Sequence, residues 1–555
     1  MKALGTVRGN ETSWFIGDLK PHVAMRFKQV FKGVRIADQP PFILGRNLSS
    51  STDLYWFMQR YPLDASPEVM AALEGDVAAF HARTDTVEEL RAPEYRSDRP
   101  TGFKEGLAPF SYQARAADLL RATGRLLLLD DVGLGKTVSF LAAVADGWGL
   151  PAVVVVQPHL QPQWVADYIE KFTHLKAHAV KDRQVKDLPD ADIYVFRYSN
   201  IAAWSDYFRV LKYKTAVFDE IQELRHGPHT DKGCAAGVIS DHAEYRMGLT
   251  ATPIYNYGGE MHAVVRYIDP NALGSQFEFL NNWCVQEGSH HIVQDPTALG
   301  AYLEGEGLTL RRISDDPEVE TTVPKKYKVV LEVPWCEDDV ETDHELQRKL
   351  ALQVVNGAFY ERGQAGRQLD IMMRHETGVA KARGVAAYVR TLVEGGHKVL
   401  LAGWHRKVYD IWQERMGDLD PLFYTGKETQ KQKQTAKRAF IEGDNQLLIM
   451  SLRSGAGVDG LQHVCHEAVF GEFDWSPQVH SQYTGRLARY GQQHEVTSHF
   501  LFTSGGSDPA IMAANGLKSS QSHGILNPYG GLVEATAINT SRIRALAETV
   551  LEKSK

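Results

Sequence analysis

Short apolar runs alternate with helix-like patterns through most of this chain. From about residue 107, four such runs occur, at Leu126–Leu129, Val153–Val156, Ile193–Phe196 and Ala216–Phe218. A second series begins near residue 380 and includes Val399–Ala402 and Leu447–Met450. Continuous apolar runs of this length are typical of strands that are buried on both faces of a parallel sheet. The pattern therefore predicts an α/β fold with two successive parallel sheets.

Changes in the pattern of hydrophobic and polar residues along the chain also predict the domain boundaries. Residues 1–100 are mixed in character and end in a polar, proline-containing stretch that we interpret as a linker. We expect this part to be a small α+β accessory domain. The expected remainder is a first lobe at 101–268, helical insertions and the inter-lobe passage at 269–380, a second lobe at 381–505, and a C-terminal tail at 506–555. A chain of 555 residues is too long for a single core, which agrees with several domains.

The composition excludes several classes of protein. Hydrophobic residues make up 43% of the chain and charged residues 23%, which is ordinary for a globular protein, and the apolar runs are too short to span a bilayer. The four cysteines lie far apart, so we expect neither a structural zinc site nor a disulfide framework. A cytoplasmic, nucleoid-associated protein of bacterial or viral source is the expectation. The formal charge of −8 does not decide whether the partner is a nucleic acid.

A glycine-rich loop follows the first buried strand. It reads Asp130-Asp-Val-Gly-Leu-Gly-Lys136-Thr137 and leads into a helical pattern. Gly133 and Gly135 allow backbone N–H groups to approach phosphate oxygens, and a helix N-terminus adds partial positive charge. Lys136 can reach the β- and γ-phosphates and Thr137 can hold Mg²⁺, so the loop predicts ATP and Mg²⁺ as cofactors. The alternative is a chance turn, and the first glycine of the general pattern is replaced here by Asp130.

A pair of acids follows another predicted strand, in the sequence Thr215-Ala-Val-Phe-Asp219-Glu220-Ile-Gln222. Asp219 at the end of the strand can hold Mg²⁺ through water, and Glu220 can polarise an attacking water. On its own such a pair is also compatible with a solvated loop. Its position after a strand of the same predicted sheet favours the catalytic interpretation.

Further motifs fix the class of protein by their order and spacing. They are Tyr112-Gln113, Thr250-Ala-Thr252-Pro, Ser454-Gly-Ala-Gly457-Val-Asp459, Asp474-Trp-Ser-Pro477 and Gln482-Tyr-Thr-Gly-Arg486-Leu-Ala-Arg489-Tyr-Gly-Gln492. Together with the glycine loop and the acid pair, this set resembles the superfamily 2 helicases, and its last motif resembles the Swi/Snf branch. That branch also carries Asp at the first position of the glycine loop. The resemblance covers about residues 105–520 and implies two tandem RecA-like lobes.

The resemblance implies a role for each matching residue. Gln113 would contact adenine, and Gly457 and Asp459 would belong to the nucleotide site. Arg486 and Arg489 would neutralise charge on the transferring phosphoryl group, alongside the catalytic roles given above to Lys136, Asp219 and Glu220. The residues that would couple the ATP site to DNA are Thr250, Thr252 and Gln482.

The same resemblance implies a set of DNA contacts. The candidates are Pro158, His159, Gln163, Ser199, Asn200, Lys427 and Ser454. Short polar side chains and backbone amides of this kind follow phosphates without reading bases. We interpret the neighbouring Trp164 as a core residue.

Residues 1–100 carry a weaker signal. Residues 21–60 resemble the accessory module of annealing-helicase (HARP-type) relatives. The aromatic residues Trp14, Tyr55, Trp56 and Phe57 occur in the same region as basic residues, a combination that can stack on unpaired bases and hold phosphates. The alternative is that these rings form the core of a small structural domain.

The expected function is an ATP-dependent translocase on double-stranded DNA that remodels DNA structures or protein–DNA complexes. Double-stranded or branched DNA is the expected partner, and no membrane is expected. A strand-separating helicase acting on DNA or RNA is the alternative. A scaffold protein with an inactive ATPase core is a third interpretation, which the complete set of catalytic residues opposes.

Overall fold

The structure, a computed structural model, describes residues 3–31, 33–35, 37–92, 94–97, 102–252, 260–287, 290–314, 316–319, 324–340, 344–356, 359–452, 458–513, 515 and 551. The chain divides into two compact units. Unit one comprises residues 1–129 and 137–310, and unit two comprises residues 130–136 and 311–555. In the described residues, no helix is both long enough and apolar enough to cross a membrane.

Unit one begins with a small α+β domain. Its elements are β1 (Thr6–Gly9), β2 (Ser13–Gly17), α1 (Pro21–Val30), β3 (Phe42–Gly45), α2 (Leu48–Arg60), β4 (Asp64–Ala65) and α3 (Pro67–Arg91). The strands form a sheet in the order β3-β2-β1-β4. Helix α2 begins at a capping box, in which the Asn47 side chain accepts from the Ser50 backbone N–H and the Ser50 hydroxyl accepts from the Asn47 N–H.

Most of the aromatic rings near the N-terminus form the core of this domain. Trp14, Phe27 and Phe57 are fully buried, and Phe27 stacks on Phe42 and meets the edge of Phe57. Trp56 differs, because 57% of its surface is exposed. The core interpretation is therefore correct for Trp14 and Phe57, whereas Trp56 is available for a partner.

The second part of unit one is a seven-stranded parallel sheet in the order β13-β5-β10-β9-β6-β8-β7. Its strands are β5 (Arg125–Leu128), β6 (Ala152–Val156), β7 (Ala177–Ala179), β8 (Ile193–Arg197), β9 (Thr215–Asp219), β10 (Tyr245–Leu249) and, after an insertion, β13 (Thr309–Leu310). The helices that connect and cover it are α4 (Ser111–Thr123), α5 (Lys136–Val144), α6 (Gln161–Gln163), α7 (Glu170–Phe172) and α8 (Asp231–Asp241). A π-helical turn, Trp164–Ile169, joins α6 to α7.

The insertion that precedes β13 contains α9 (Glu260–Val265), α10 (Gln276–Trp283), the antiparallel hairpin β11 (Cys284–Glu287) and β12 (His290–Val293), and α11 (Pro296–Gly305).

Helix α3 of the N-terminal domain contacts both this insertion and the seven-stranded sheet. Val87 and Leu90 of α3 belong to the core of the seven-stranded sheet, and Arg83 bonds Glu306 at 3.1 Å. The N-terminal domain and the first lobe thus share part of one core.

Unit two contains a six-stranded parallel sheet in the order β14-β19-β18-β15-β17-β16. The strands are β14 (Lys326–Glu332), β15 (Val399–Gly403), β16 (Leu422–Tyr424), β17 (Leu447–Ser451), β18 (Glu467–Phe470) and β19 (Val496–Phe502). The helices are α12 (His344–Asn356), α13 (Phe359–Glu394), α14 (Arg406–Met416), α15 (Gln430–Glu442) and α16 (Pro477–Thr484). The expected fold, two RecA-like parallel-sheet lobes with helical insertions and an N-terminal α+β domain, is confirmed.

Candidate functional site

Predicted site residues from four motifs of unit one lie at one edge of its sheet. Asp219 is the last residue of β9, Thr250 directly follows β10, and Pro158 and Ser199 each come two residues after a strand. Parallel strands have their carboxyl ends at the same edge, which is where open α/β sheets bind their ligands. The sheet topology therefore brings together residues from four separate motifs.

The acid pair is held by hydrogen bonds from residues outside its own strand. The Trp164 indole N–H donates to an Asp219 carboxylate oxygen at 2.7 Å, and the Tyr198 hydroxyl donates to the Asp219 backbone carbonyl at 2.9 Å. Glu220 adopts a left-handed backbone conformation with φ 51°, which is sparsely populated for residues other than glycine and is concentrated at functional sites. The Gln222 side-chain amide donates to the Glu220 carboxylate and thereby fixes its direction.

The Thr250–Thr252 segment forms a compact turn. Thr250 is fully buried and its hydroxyl oxygen accepts from the Thr252 backbone N–H at 2.8 Å. Among the residues that the structure describes, no group bonds the buried Thr252 hydroxyl. Pro253 lies outside the described residues.

The glycine-rich loop has a backbone conformation suited to phosphate binding. Gly133 and Gly135 have φ values of 96° and 71°, which glycine adopts without strain. A side chain at Gly133 would collide with the Ala488 carbonyl, because a Cβ built there lies 2.4 Å from that oxygen. The Lys136 ammonium lies across the loop and donates to the backbone carbonyls of Asp130 and Asp131 at 2.8 and 3.2 Å.

Asp130, the departure from the general loop pattern, forms a buried ion pair. Its carboxylate accepts two hydrogen bonds from Arg312, and the two residues are 0% and 3% exposed. The next residue, Asp131, accepts from Lys326 at 3.0 Å. Burial opposes ionisation of Asp131, but the Lys326 and Arg311 charges outweigh it and lower its pKa. The loop is therefore anchored by cationic side chains of residues 311–326.

The two predicted arginines occupy different environments in unit two. Arg486 is 4% exposed and lies over the Tyr483 ring, and burial lowers its pKa to about 10, so it remains charged at neutral pH. Arg489 is half-buried and donates to Asp459 at 3.1 Å and to the Gly485 carbonyl at 2.9 Å. Partial burial opposes ionisation of Asp459, but the Arg489 charge and a bond from Gln462 outweigh it and lower its pKa.

The remaining predicted nucleotide and coupling residues have clear positions. Gln113 is 3% exposed, and its side-chain oxygen accepts from the Phe110 N–H to cap helix α4. Gln482 is half-buried on helix α16. Gly457 lies outside the described residues.

The structure separates the predicted DNA contacts into exposed and internal groups. Pro158, His159, Ser199 and Lys427 are exposed, and Gln163 is half-buried. Asn200 is 2% exposed, and its amide donates to the Val180 and Asp182 carbonyls while its oxygen accepts from the Arg197 N–H. Asn200 therefore positions the loop that carries Ser199, and does not present its own amide. Ser454 lies outside the described residues.

Three contributors were missed at the level of sequence. From sequence, Arg312 has no assigned role, Trp164 is a core residue without a stated partner, and Gln222 is only the fourth residue of the acid motif. An indole N–H or a buried guanidinium requires a partner. That requirement is the signal available in the sequence, but it does not identify the partner.

A family model described as the SNF2-related domain matches residues 54–381. The chain belongs to this family. The matched span begins within helix α2 and ends within helix α13.

Individual relatives are distant. One is the Caenorhabditis elegans homologue of the SWI/SNF-related matrix-associated actin-dependent regulator of chromatin subfamily A-like protein 1, 23% identical over 72% of this chain and 59% of the relative. The Xenopus tropicalis protein of that name is also 23% identical, over 69% of this chain and 41% of the relative. The chain thus spans about half the length of these relatives. The Bacillus subtilis uncharacterized ATP-dependent helicase YqhH is 20% identical over 75% of this chain and 79% of the relative.

One solved structure with a similar fold is the Sulfolobus solfataricus SWI2/SNF2 ATPase core in complex with double-stranded DNA. It shares 19% identity, covers 75% of this chain and 92% of its own, and superimposes with a TM-score of 0.40.

The residues of the SNF2-related chain fit a nucleoside triphosphate with its magnesium ion. The loop combines two left-handed glycines, a lysine and the start of helix α5, which together match the negative charge and the oxygen atoms of phosphates. Thr137 and Asp219 supply the hard oxygen donors that Mg²⁺ prefers. The Thr252 hydroxyl and the Gln222 side-chain oxygen are buried with no hydrogen-bond partner among the described residues.

The buried pair Asp130–Arg312 predicts a strong stability effect. Arg312→Met should lower the free energy of unfolding of unit two by about 3–5 kcal/mol, because it leaves the Asp130 carboxylate buried without its partner. Arg311→Met is the matched control, since Arg311 lies 3.6 Å from Asp131 in a less buried pair. Denaturant unfolding followed by circular dichroism measures both. Equal effects of the two substitutions would contradict the role given to Arg312.

Proposed function

We propose that this SNF2-related chain hydrolyses ATP to translocate along double-stranded DNA and so remodels DNA structures or protein–DNA complexes. One observation supports the proposal most. The glycine loop lies against Arg489, whose Cβ is 3.1 Å from a Cβ built on Gly133. A phosphate-binding loop beside an arginine is an arrangement suited to phosphoryl transfer, which depends on positioning and positive charge.

In this proposal each residue has one task in nucleotide hydrolysis. Lys136 and the N–H groups of the loop bind the β- and γ-phosphates. Thr137 and Asp219 hold Mg²⁺, which supplies Lewis-acid stabilisation of the phosphate charge when bound. Glu220, held by Gln222, orients the attacking water. Arg486 and Arg489 stabilise the charge that develops as the bond to the leaving group breaks.

DNA contact is proposed for exposed residues at the carboxyl edges of the two sheets. His159 and Ser199 follow strands β6 and β8 in unit one, and Lys427 follows β16 in unit two. Thr252, with its buried hydroxyl, follows β10, which pairs with the acid-bearing strand β9, and is the proposed coupling residue. Contacts of this kind bind phosphates and carry no base specificity.

A preference for branched DNA is proposed for the N-terminal domain. Trp56 exposes an indole ring on helix α2, and Arg26 is exposed on helix α1. An exposed aromatic ring and a basic side chain can together bind unpaired nucleotides. Because Val87 and Leu90 of α3 belong to the core of the first lobe, substitution of Trp56 is a cleaner test than removal of residues 1–100.

Arg489→Ala is expected to bind ATP but hydrolyse it at least about 10³-fold more slowly, because an arginine in this position acts on transition-state charge. Arg438→Ala is the control, since Arg438 is a surface residue whose side chain is 77% exposed. Equilibrium binding of a fluorescent ATP analogue and single-turnover hydrolysis separate the two steps. Loss of ATP affinity with normal turnover of the bound nucleotide would show that Arg489 serves binding.

Translocation should appear as ATP-dependent displacement of the third strand from a DNA triplex. The same protein should separate a plain tailed duplex poorly, and displacement should fall as salt rises, because phosphate contacts release counterions. Lys136→Ala is the control that should lose displacement while it keeps nucleotide-free DNA binding. Efficient unwinding of the tailed duplex would instead favour the strand-separating helicase.

A further inference from the structure

Three turns of unit two each carry a histidine at the amino edge of its sheet. Strands β15, β18 and β19 are neighbours, with Val399 paired to Glu467 and Glu467 paired to Thr497. His397 precedes β15 by two residues, His466 directly precedes β18, and His494 precedes β19 by two residues. Since parallel strands also begin at one edge, the register brings these imidazoles together beside Glu467.

The side chains converge around one carboxylate oxygen. Glu467 Oε1 lies 3.8 Å from His397 Nδ1 and 3.6 Å from His466 Nε2. These three potential ligand atoms all lie within 4.8 Å of one another, and in the described part of the chain no other group of three metal-ligating side chains meets this condition. The His494 ring centroid lies 4.9 Å from that of His466.

The other oxygen of the same carboxylate is held by an inner chain of hydrogen bonds. Glu467 Oε2 lies 2.6 Å from His499 Nε2, and His499 Nδ1 lies 2.8 Å from the Tyr388 hydroxyl. The Glu467 and His499 side chains are 10% and 8% exposed. This arrangement fixes the orientation of Glu467 and directs Oε1 toward the two outer histidines, as second-sphere groups do at metal centres.

The distances to Oε1 are too long for hydrogen bonds. A tetrahedral ion with bonds of about 2.0–2.1 Å has ligand atoms about 3.3 Å apart. The ligand atoms here lie 3.8 and 3.6 Å from Oε1 and within 4.8 Å of one another, so rotations of the side chains would bring them to bonding distance. The alternative is an ion pair between Glu467 and protonated imidazoles. An imidazolium paired with Oε1 would approach it to hydrogen-bonding distance, whereas both imidazoles lie beyond that distance here.

We propose that His397, His466 and Glu467 bind a divalent transition-metal ion, with Zn²⁺ as the ion and with His494 or water as the fourth ligand. Imidazole nitrogen with a carboxylate oxygen is a donor set suited to zinc, whereas Mg²⁺ prefers oxygen ligands and retains its waters. The adjacent Cys465 is not part of this group, because its thiol is fully buried and donates to the backbone carbonyls of Lys398 and Glu467. The ion would join three turns of the sheet edge opposite to the one that carries Lys427.

The expectation from sequence excluded structural zinc on the spacing of the cysteines. That argument does not extend to this site, because its ligands are histidines and a carboxylate that lie up to 70 residues apart, from His397 to Glu467. The site also does not depend on the proposed translocase activity.

Calorimetric titration of the full chain with ZnCl₂, after removal of metal by a chelator, tests the proposal. One equivalent of Zn²⁺ should bind, and the thermal unfolding midpoint should rise with Zn²⁺ but not with Mg²⁺. His397→Ala and His466→Ala should each weaken binding by more than the roughly 100-fold that loss of an outer-sphere partner can cost. Both imidazoles are partly exposed, at 42% and 27%, so the metal-free variants should keep the wild-type circular dichroism spectrum.

Two controls make the result specific. His242→Ala removes an exposed histidine of unit one and should leave zinc affinity unchanged. Lys136→Ala should bind zinc normally, because the zinc measurement does not depend on ATP hydrolysis. A failure of the ATPase proposal can therefore be distinguished from a failure of the zinc proposal. Co²⁺ in place of Zn²⁺ should give d–d bands without a thiolate charge-transfer band. Absence of binding, equal binding by wild type and both cluster variants, or a thiolate band would each overturn the proposal.

Discussion

The parallel arrangement of strands in both sheets is the constraint on which the other features depend. When neighbouring strands run in one direction, every loop that leaves them emerges at the carboxyl edge, and every turn that enters them lies at the amino edge. In unit one this rule brings Asp219 and Thr250 to one edge, although they belong to different motifs. In unit two the same rule places Lys427 at the carboxyl edge and the turns of His397 and His466 at the amino edge. The candidate catalytic chemistry and the candidate metal centre are therefore two consequences of one topology.

Asp130, which replaces the first glycine of the general loop pattern, has a physical explanation in its partner Arg312. A glycine at position 130 would leave Arg312 buried without a carboxylate, at a cost of several kcal/mol. With Asp130 present, Arg312, which follows the insertion, donates two hydrogen bonds to the loop. The ion pair between Asp131 and Lys326 adds a second contact between the loop and this segment. The candidate phosphate loop is thus bonded to residues 312 and 326, in the part of the chain that leads into the six-stranded sheet.

Much of the fold was predictable because strand burial and loop chemistry are local properties of the sequence. The run Val153–Val156 and the run Leu447–Met450 each match a strand to within one residue, and the acid pair falls at the end of β9 as expected. The remaining features depend on partners that are distant in the chain. Arg312 meets Asp130 across 182 residues, and the amide of Asn200 bonds carbonyls on another loop. The histidine cluster combines residues from three turns. No local pattern marks such pairs, since each requires the register of the sheet to be known first.

The most direct test of the account is the steady-state ATPase rate of the full chain with duplex DNA, single-stranded DNA, forked DNA and RNA compared side by side at one salt concentration. The account predicts strong stimulation by duplex and forked DNA and weak stimulation by single strands and RNA. The forked substrate should give the higher rate, and Trp56→Ala should remove that difference while the duplex rate is kept. A rate that rises equally with RNA or single-stranded DNA, or that does not respond to duplex DNA, would contradict the claim that this chain is a motor on double-stranded DNA.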